Sequence, residues 1–210
     1  MARVSKQQME RNREEIIKVS SQLFRERGIN GVSVNDLMAA AGLTHGGFYG
    51  HFDSKDELAA IASRKAFDDS AARWQAIGQQ SRQQTLHTLA EHYLSPAHRD
   101  GVQNGCAITA LASDIARESA DKPVREVYLD GVKGMLEILE SVADSEDDAQ
   151  RRQHALVQFS LLIGALTLAR ATSGDSLSDE FLAAAKEALL NAASTSKSRS
   201  TPKPKTTQDA

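Results

Sequence analysis

Apolar positions recur at helical spacing along almost the whole chain. Ile16, Ile17, Ser20, Leu23 and Phe24 fall at i, i+1, i+4, i+7 and i+8, one face of a helix that Gly28 ends. A short helix follows over 34–40, with Ser33 as its cap, Asp36 completing a capping box and Gly42 as its stop. A third short helix begins after Thr44, and Phe52-Asp53 is a break. Ser54, with Glu57 as box partner, caps a long helix running towards Ile77. Further helices are predicted up to Leu94, over 106–118, from Pro123 to about Val142, from the acidic 145–148 run to about Ala171, and over 178–193. Residues 95–105, with Pro96, Gly101 and Gly105, read as a loop. The pattern gives nine helices and no strand, an all-α chain. From Ser194 the chain is rich in Ser, Thr, Lys and Pro, so 194–210 is predicted to be a disordered tail.

Composition narrows this picture. Only 5% of the 210 residues are aromatic and only four are proline, which disfavours an all-β chain. No run approaches the roughly 20 apolar residues of a membrane span, and residues 1–13 are polar, unlike a signal peptide. These features predict no membrane partner. The one cysteine, Cys106, excludes an internal disulfide and a multi-cysteine zinc site, and fits a reducing, cytoplasmic setting. The net charge of −3 hides an asymmetry: residues 1–65 carry +2, 66–193 carry −8 and 194–210 carry +3. A basic start on an acidic body points to a polyanion at the N-terminus, although +2 over 65 residues is also ordinary for a solvated surface.

Residues 33–52 carry the sharpest signal. Two short helices flank a tight turn at Ala41-Gly42-Leu43, with Val34, Leu37 and Met38 facing inward and Leu43 and Phe48 able to meet them. This is helix-turn-helix geometry, whose second helix can enter a major groove. Its start presents Thr44 and His45, while Gly46 and Gly47 let the backbone come close to DNA. Tyr49 and His51 lie at its far end. Lys55 lies in the next first turn, where an ammonium and backbone N–H groups can share a phosphate.

The stretch from Glu14 to Leu58 resembles the N-terminal domain of the TetR/AcrR family of bacterial transcriptional repressors. The resemblance rests on Ile17, Ser20, Leu23, Phe24, Gly28, Gly31, Ser33, Val34, Ala41, Gly42, Leu43, Phe48, Tyr49, His51, Phe52, Lys55 and Leu58 at fixed spacing. It implies a three-helix DNA-binding domain over 1–53 and a helical effector-binding and dimerisation domain over 54–193. It also implies a homodimer that binds a pseudo-palindromic double-stranded operator and releases it when a small-molecule effector binds. The DNA-binding residues would be Ser33, Val34, Thr44, His45, Gly46, Gly47, Tyr49, His51 and Lys55. Gly47 and Gly50 depart from the bulkier residues of many relatives, leaving Thr44, His45 and Tyr49 with more of the recognition.

The second half shows no Gly-x-Ser-x-Gly, no His-Glu-x-x-His and no phosphate loop, so an all-helical enzyme is the weaker alternative, and neither metal nor cofactor is expected. Large or polar-tipped residues, namely Phe67, Trp74, His92, Tyr93, Cys106 and Tyr128, with Met135, are the candidates for an effector pocket between helices. Cys106 opens a helix after a glycine-containing loop, where a positive helix end favours a thiolate. This gives a second reading, a repressor that senses electrophiles or oxidants through that thiol, a property the resemblance assigns to one branch of the family. The 156–168 helix is apolar nearly all round and needs partners on every side. Phe159, Leu162 and Leu166, with Phe181, Leu182 and Leu189 of the last helix, are the candidate dimer seam.

Overall fold

The computed structural model describes residues 5–78, 81–143 and 147–195, and every regular element among them is helical. The predicted tail over 194–210 and the start of the acidic 145–148 run lie largely outside the described residues. The α-helices are α1 (Lys6–Arg27), α2 (Val34–Ala40), α3 (Lys55–Ile77), α4 (Arg82–Tyr93), α5 (Pro96–Asp100), α6 (Ala107–Arg117), α7 (Pro123–Val142), α8 (Asp148–Ala171) and α9 (Ser176–Thr195). Two 3₁₀ turns, His45–Gly50 and Val102–Asn104, complete the order.

The predicted caps are realised atom by atom. Ser33 Oγ accepts from Asp36 N–H at 3.2 Å while the Asp36 carboxylate accepts from Ser33 N–H at 2.8 Å. Donation from the Ser33 hydroxyl, and after it from the Ser33 N–H, holds the Asp36 carboxyl below its ordinary range. At α3, Ser54 Oγ accepts from Glu57 N–H, but Glu57 reaches back to Asp53 N–H, one residue earlier than an ideal box. Asp147 caps α8 through Ala149 N–H and Gln150 N–H.

Two expectations are corrected. The third helix is a six-residue 3₁₀ turn, because three of its six residues are glycine and an α-helix there loses up to about 1 kcal/mol at each. The 95–105 loop contains α5: Ser95 Oγ accepts from His98 N–H and Pro96 occupies the first turn, so the same residues that signal a loop also start a helix.

α3 is the spine of the molecule. Its buried face runs from Leu58 to Trp74 and packs on α1 at one end and on α7 along its length. Gly131 of α7 sits directly under the Phe67 ring of α3; an added Cβ there would stand 2.3 Å from two ring carbons. α8 is long and apolar enough to cross a membrane by length and composition alone. Its apolar residues are instead divided between the protomer core and an exposed stripe, described below.

Candidate nucleic-acid interface and effector cavity

α2 ends in a Schellman turn. Gly42, at φ +69°, gives the left-handed step; its N–H bonds Ala39 O and the Leu43 N–H bonds Met38 O. This turn leads into the His45–Gly50 segment, which packs on α2. Phe48 is fully buried and packs edge-to-face on Tyr49 at 5.2 Å, while Phe52 receives the Arg13 guanidinium over its ring at 5.0 Å. With Phe48 and Phe52 anchored, Tyr49 projects outward at 69% exposure, beside exposed Thr44, His45, Gly46 and Gly47. The Thr44 hydroxyl makes no capping bond, so it is available to a partner. His51, Val34 and Lys55 are half-buried at the same edge. Ser33 is exposed, but its hydroxyl donates to Asp36 at 2.6 Å, which makes it first a helix cap. The structure therefore leaves Thr44, His45, Gly46, Gly47 and Tyr49 exposed together on one short segment.

The predicted effector residues separate into two groups. Trp74, His92, Tyr93, Cys106 and Met135 line one small cavity between α3, α4 and the start of α6. Its volume is about 30 Å³, room for water-sized groups. Phe67 and Tyr128 do not reach it. They stack on each other at 5.8 Å, and the Tyr128 hydroxyl donates to Ile108 O. Burial pushes that hydroxyl up to about 12. Ser70, Arg73, His98 and Asn104 also line the cavity and were not singled out from the sequence. The available signal was weak: polar Ser63, Ser70 and Arg73 interrupt the apolar run of α3.

Cys106 is the N-cap residue of α6 and is only 6% exposed. Its N–H donates to His98 Nε2 at 3.1 Å, and His98 Nδ1 faces Tyr93 O at 2.8 Å. With Nε2 accepting, Nδ1 carries the proton and His98 is neutral; burial holds its pKa down to about 4. Neutral His98 gives full stability above the unfolded value of 6.5, and that contribution is lost as pH falls towards 4. The thermal midpoint is therefore expected to fall from pH 7 to 4 more steeply than that of His98→Gln, whose amide can keep both bonds. Equal slopes would refute this role.

The two halves are tied at α6. Gly28 ends α1 at φ +77°, and Ile29 N–H donates to the Asp114 carboxylate at 2.7 Å. Gln22 bonds Asn104 at 3.1 Å, Asn30 bonds Glu118 at 2.8 Å, and Lys122 pairs with Asp56 in the first turn of α3. One end of α6 thus borders the cavity and the other holds the end of α1.

The predicted seam requires correction. Phe159, Leu162, Leu166, Leu182 and Leu189 are all buried within the protomer, and Phe181 is half-buried. The five buried residues are core that joins α8 to α9 and their neighbours, while Phe181 stands at the surface of α9. A second stripe on α8, Val157, Leu161, Gly164 and Leu168, repeats at 4-3-4 spacing. It is matched on α9 by Leu177, Phe181, Ala184 and Ala188. Val157 is 56%, Leu168 46% and Leu177 42% exposed.

Residues 16–61 match the model of the bacterial regulatory proteins of the tetR family. The chain is 38% identical over 58 residues to the transcriptional regulator AcrR of Shigella flexneri, covering 28% of this chain and 27% of that protein. It is 35% identical over 65 residues to the transcriptional repressor KstR2 of Rhodococcus jostii, covering 31% and 32%. These matches span no more than about a third of either relative. Over the whole fold, the crystal structure of the reduced form of Escherichia coli NemR is similar with a TM-score of 0.73 at 21% identity. That match covers 86% of this chain and 96% of that one.

Proposed function

We propose that this chain, a TetR/AcrR-family transcriptional regulator by its N-terminal domain, is a ligand-responsive repressor that holds a pseudo-palindromic operator as a homodimer in the cytoplasm and catalyses no reaction. The observation that carries this reading is the outward Tyr49 beside fully buried Phe48, with Thr44 and His45 exposed on the same short segment and Lys55 opening the next helix. Such a surface fits base edges with Thr44, His45 and Tyr49, and phosphates with Lys55 and the first N–H groups of α3. The name of the relative KstR2 is that of a repressor, which agrees with this direction of control.

The exposed stripes of α8 and α9 give the dimer its seam. Two copies bury them by forming a four-helix junction about a two-fold axis. Effector control follows from the ties at α6: widening the cavity at Cys106 shifts α6, and Asp114 carries that shift to the end of α1. A coupling of about 1–3 kcal/mol is the usual size for such a link. The buried thiol of Cys106 favours a non-covalent effector over direct attack on sulfur.

The test is fluorescence anisotropy with the duplex upstream of the protein's own gene. Preferential, salt-sensitive binding is expected. Tyr49→Ala should weaken binding, and Lys55→Ala should reduce the slope of log affinity against log salt by roughly one. Equal affinity for a random duplex would overturn the proposal.

A further inference from the structure

We propose that an apolar cleft between α1 and the His45–Gly50 turn takes the 5-methyl group of an operator thymine, and that Gly47 sets this preference by leaving the cleft floor bare. This rests on the DNA-binding reading above and names a base that one part of the surface selects. The cleft has a volume of about 270 Å³. Met9, Met38 and Leu43 give it apolar walls, while Gly47 and Gly50 line it with backbone alone. Asn12, Thr44 and His51 are its polar lining. Met38 is fully buried and Met9 is 39% exposed, so the cleft runs from the core of the domain out to its surface.

The fold itself does not call for glycine at position 47. The glycines with a left-handed backbone are Gly28, Gly42 and Gly174. A Cβ on Gly47 would meet the Met38 Cε at 3.6 Å, an ordinary van der Waals contact, and a Cβ on Gly50 would meet nothing within 4 Å. Alanine would strengthen the turn, because glycine loses the most backbone freedom on ordering. The bare backbone therefore weakens the segment with no packing gain inside the protomer. A local rule broken without internal compensation is the mark of a functional position.

The chemistry of the groove identifies the occupant. Thr44, His45 and Tyr49, exposed beside the cleft, are the side chains a major groove would meet. The one apolar group that base pairs present in that groove is the thymine 5-methyl; cytosine carries hydrogen at the same position. Met9, Met38 and Leu43 attract a methyl and offer no hydrogen bond to the polar base edges. The Thr44 hydroxyl, which makes no capping bond, remains for a polar neighbour. A Cβ on Gly47 would stand against Met38 on the cleft floor and take the place of the methyl.

The test uses full-length protein, the duplex upstream of its own gene and fluorescence anisotropy. Each thymine is replaced in turn by deoxyuridine, which pairs identically and lacks only the methyl. In the wild type at least one replacement should weaken binding by about fourfold or more, the worth of one buried methyl. At that position Gly47→Ala should bind the thymine duplex about fourfold or more weaker than wild type does, and the deoxyuridine duplex at least as well as the thymine one. It should melt at or above the wild-type midpoint. Met9→Ala, at an exposed position, removes a wall instead of filling the floor and should shrink the effect of the methyl to less than about twofold. Each comparison is a ratio of two duplexes on one protein, so a change in stability does not enter it. No thymine whose methyl matters to the wild type, or a methyl effect above about twofold in either variant, would overturn the inference. A wild type that prefers the upstream duplex yet ignores every methyl overturns this inference alone. Equal affinity for a random duplex overturns the repressor reading, and a duplex selected by the protein from a random pool then serves for the methyl measurement.

Discussion

Leu168→Asp is expected to leave a folded monomer, whereas Leu162→Asp, six residues earlier on the same helix, is expected to abolish folding. Leu162 is fully buried between α8 and its neighbours, so an aspartate there strands a carboxylate without a counter-charge. The cost exceeds about 4 kcal/mol, a large part of the roughly 5–15 kcal/mol that holds a domain together. Leu168 is 46% exposed, and its replacement costs the isolated protomer little. In the proposed dimer it would face the stripe of a second copy, where two introduced carboxylates repel and stay desolvated. Loss of the dimer turns two-site operator binding into one-site binding, so affinity should fall by about 10²–10⁴-fold. Light scattering, circular dichroism and anisotropy read the three outcomes separately. Leu168→Asp that remains dimeric, or Leu162→Asp that stays folded, would refute the assignment of the two faces.

Gly131→Ala should lower stability by about 2–3 kcal/mol, or roughly 5–10 °C in Tm, despite alanine being the better helix former. The helix gains up to about 1 kcal/mol from losing glycine's backbone freedom. Against that, the new Cβ would stand 2.3 Å from the Phe67 ring, which is 5% exposed and held on its edge by Tyr128. The ring has no free volume to move into, so α3 and α7 must separate. Since α3 also carries Lys55 at its start, operator affinity should fall with Tm. The double variant Gly131→Ala/Phe67→Leu should recover much of the loss by making room. A Gly131→Ala protein as stable as wild type would show that α7 can shift without cost.

Much of the architecture was legible in the sequence by itself. Ser33 with Asp36, Ser54 with Glu57, Gly28, Gly42 and Pro123 each mark a helix end through bonds or backbone geometry local to a few residues. The helix-turn-helix was legible for the same reason. Its turn and its anchors Leu37, Met38 and Phe48 lie within about a dozen residues, and Tyr49 then has only the outer side left. The short helix α5 escaped because its serine, proline and glycine signal a loop as readily as a capped turn.

Tertiary structure alone decided which side of α8 turns inward. A helix apolar on nearly every side carries no periodic signal to choose between Leu162 and Leu168, and only contact with α9 and the other neighbours of α8 buried the first and left the second outside. The cavity was decided in the same way. Trp74, Tyr93 and Cys106 come from three separate stretches of the chain, and no local pattern could show that packing would bring them round one cavity. Short-range hydrogen bonding and periodicity are written along the chain, while long-range packing and desolvation exist only once the helices have docked.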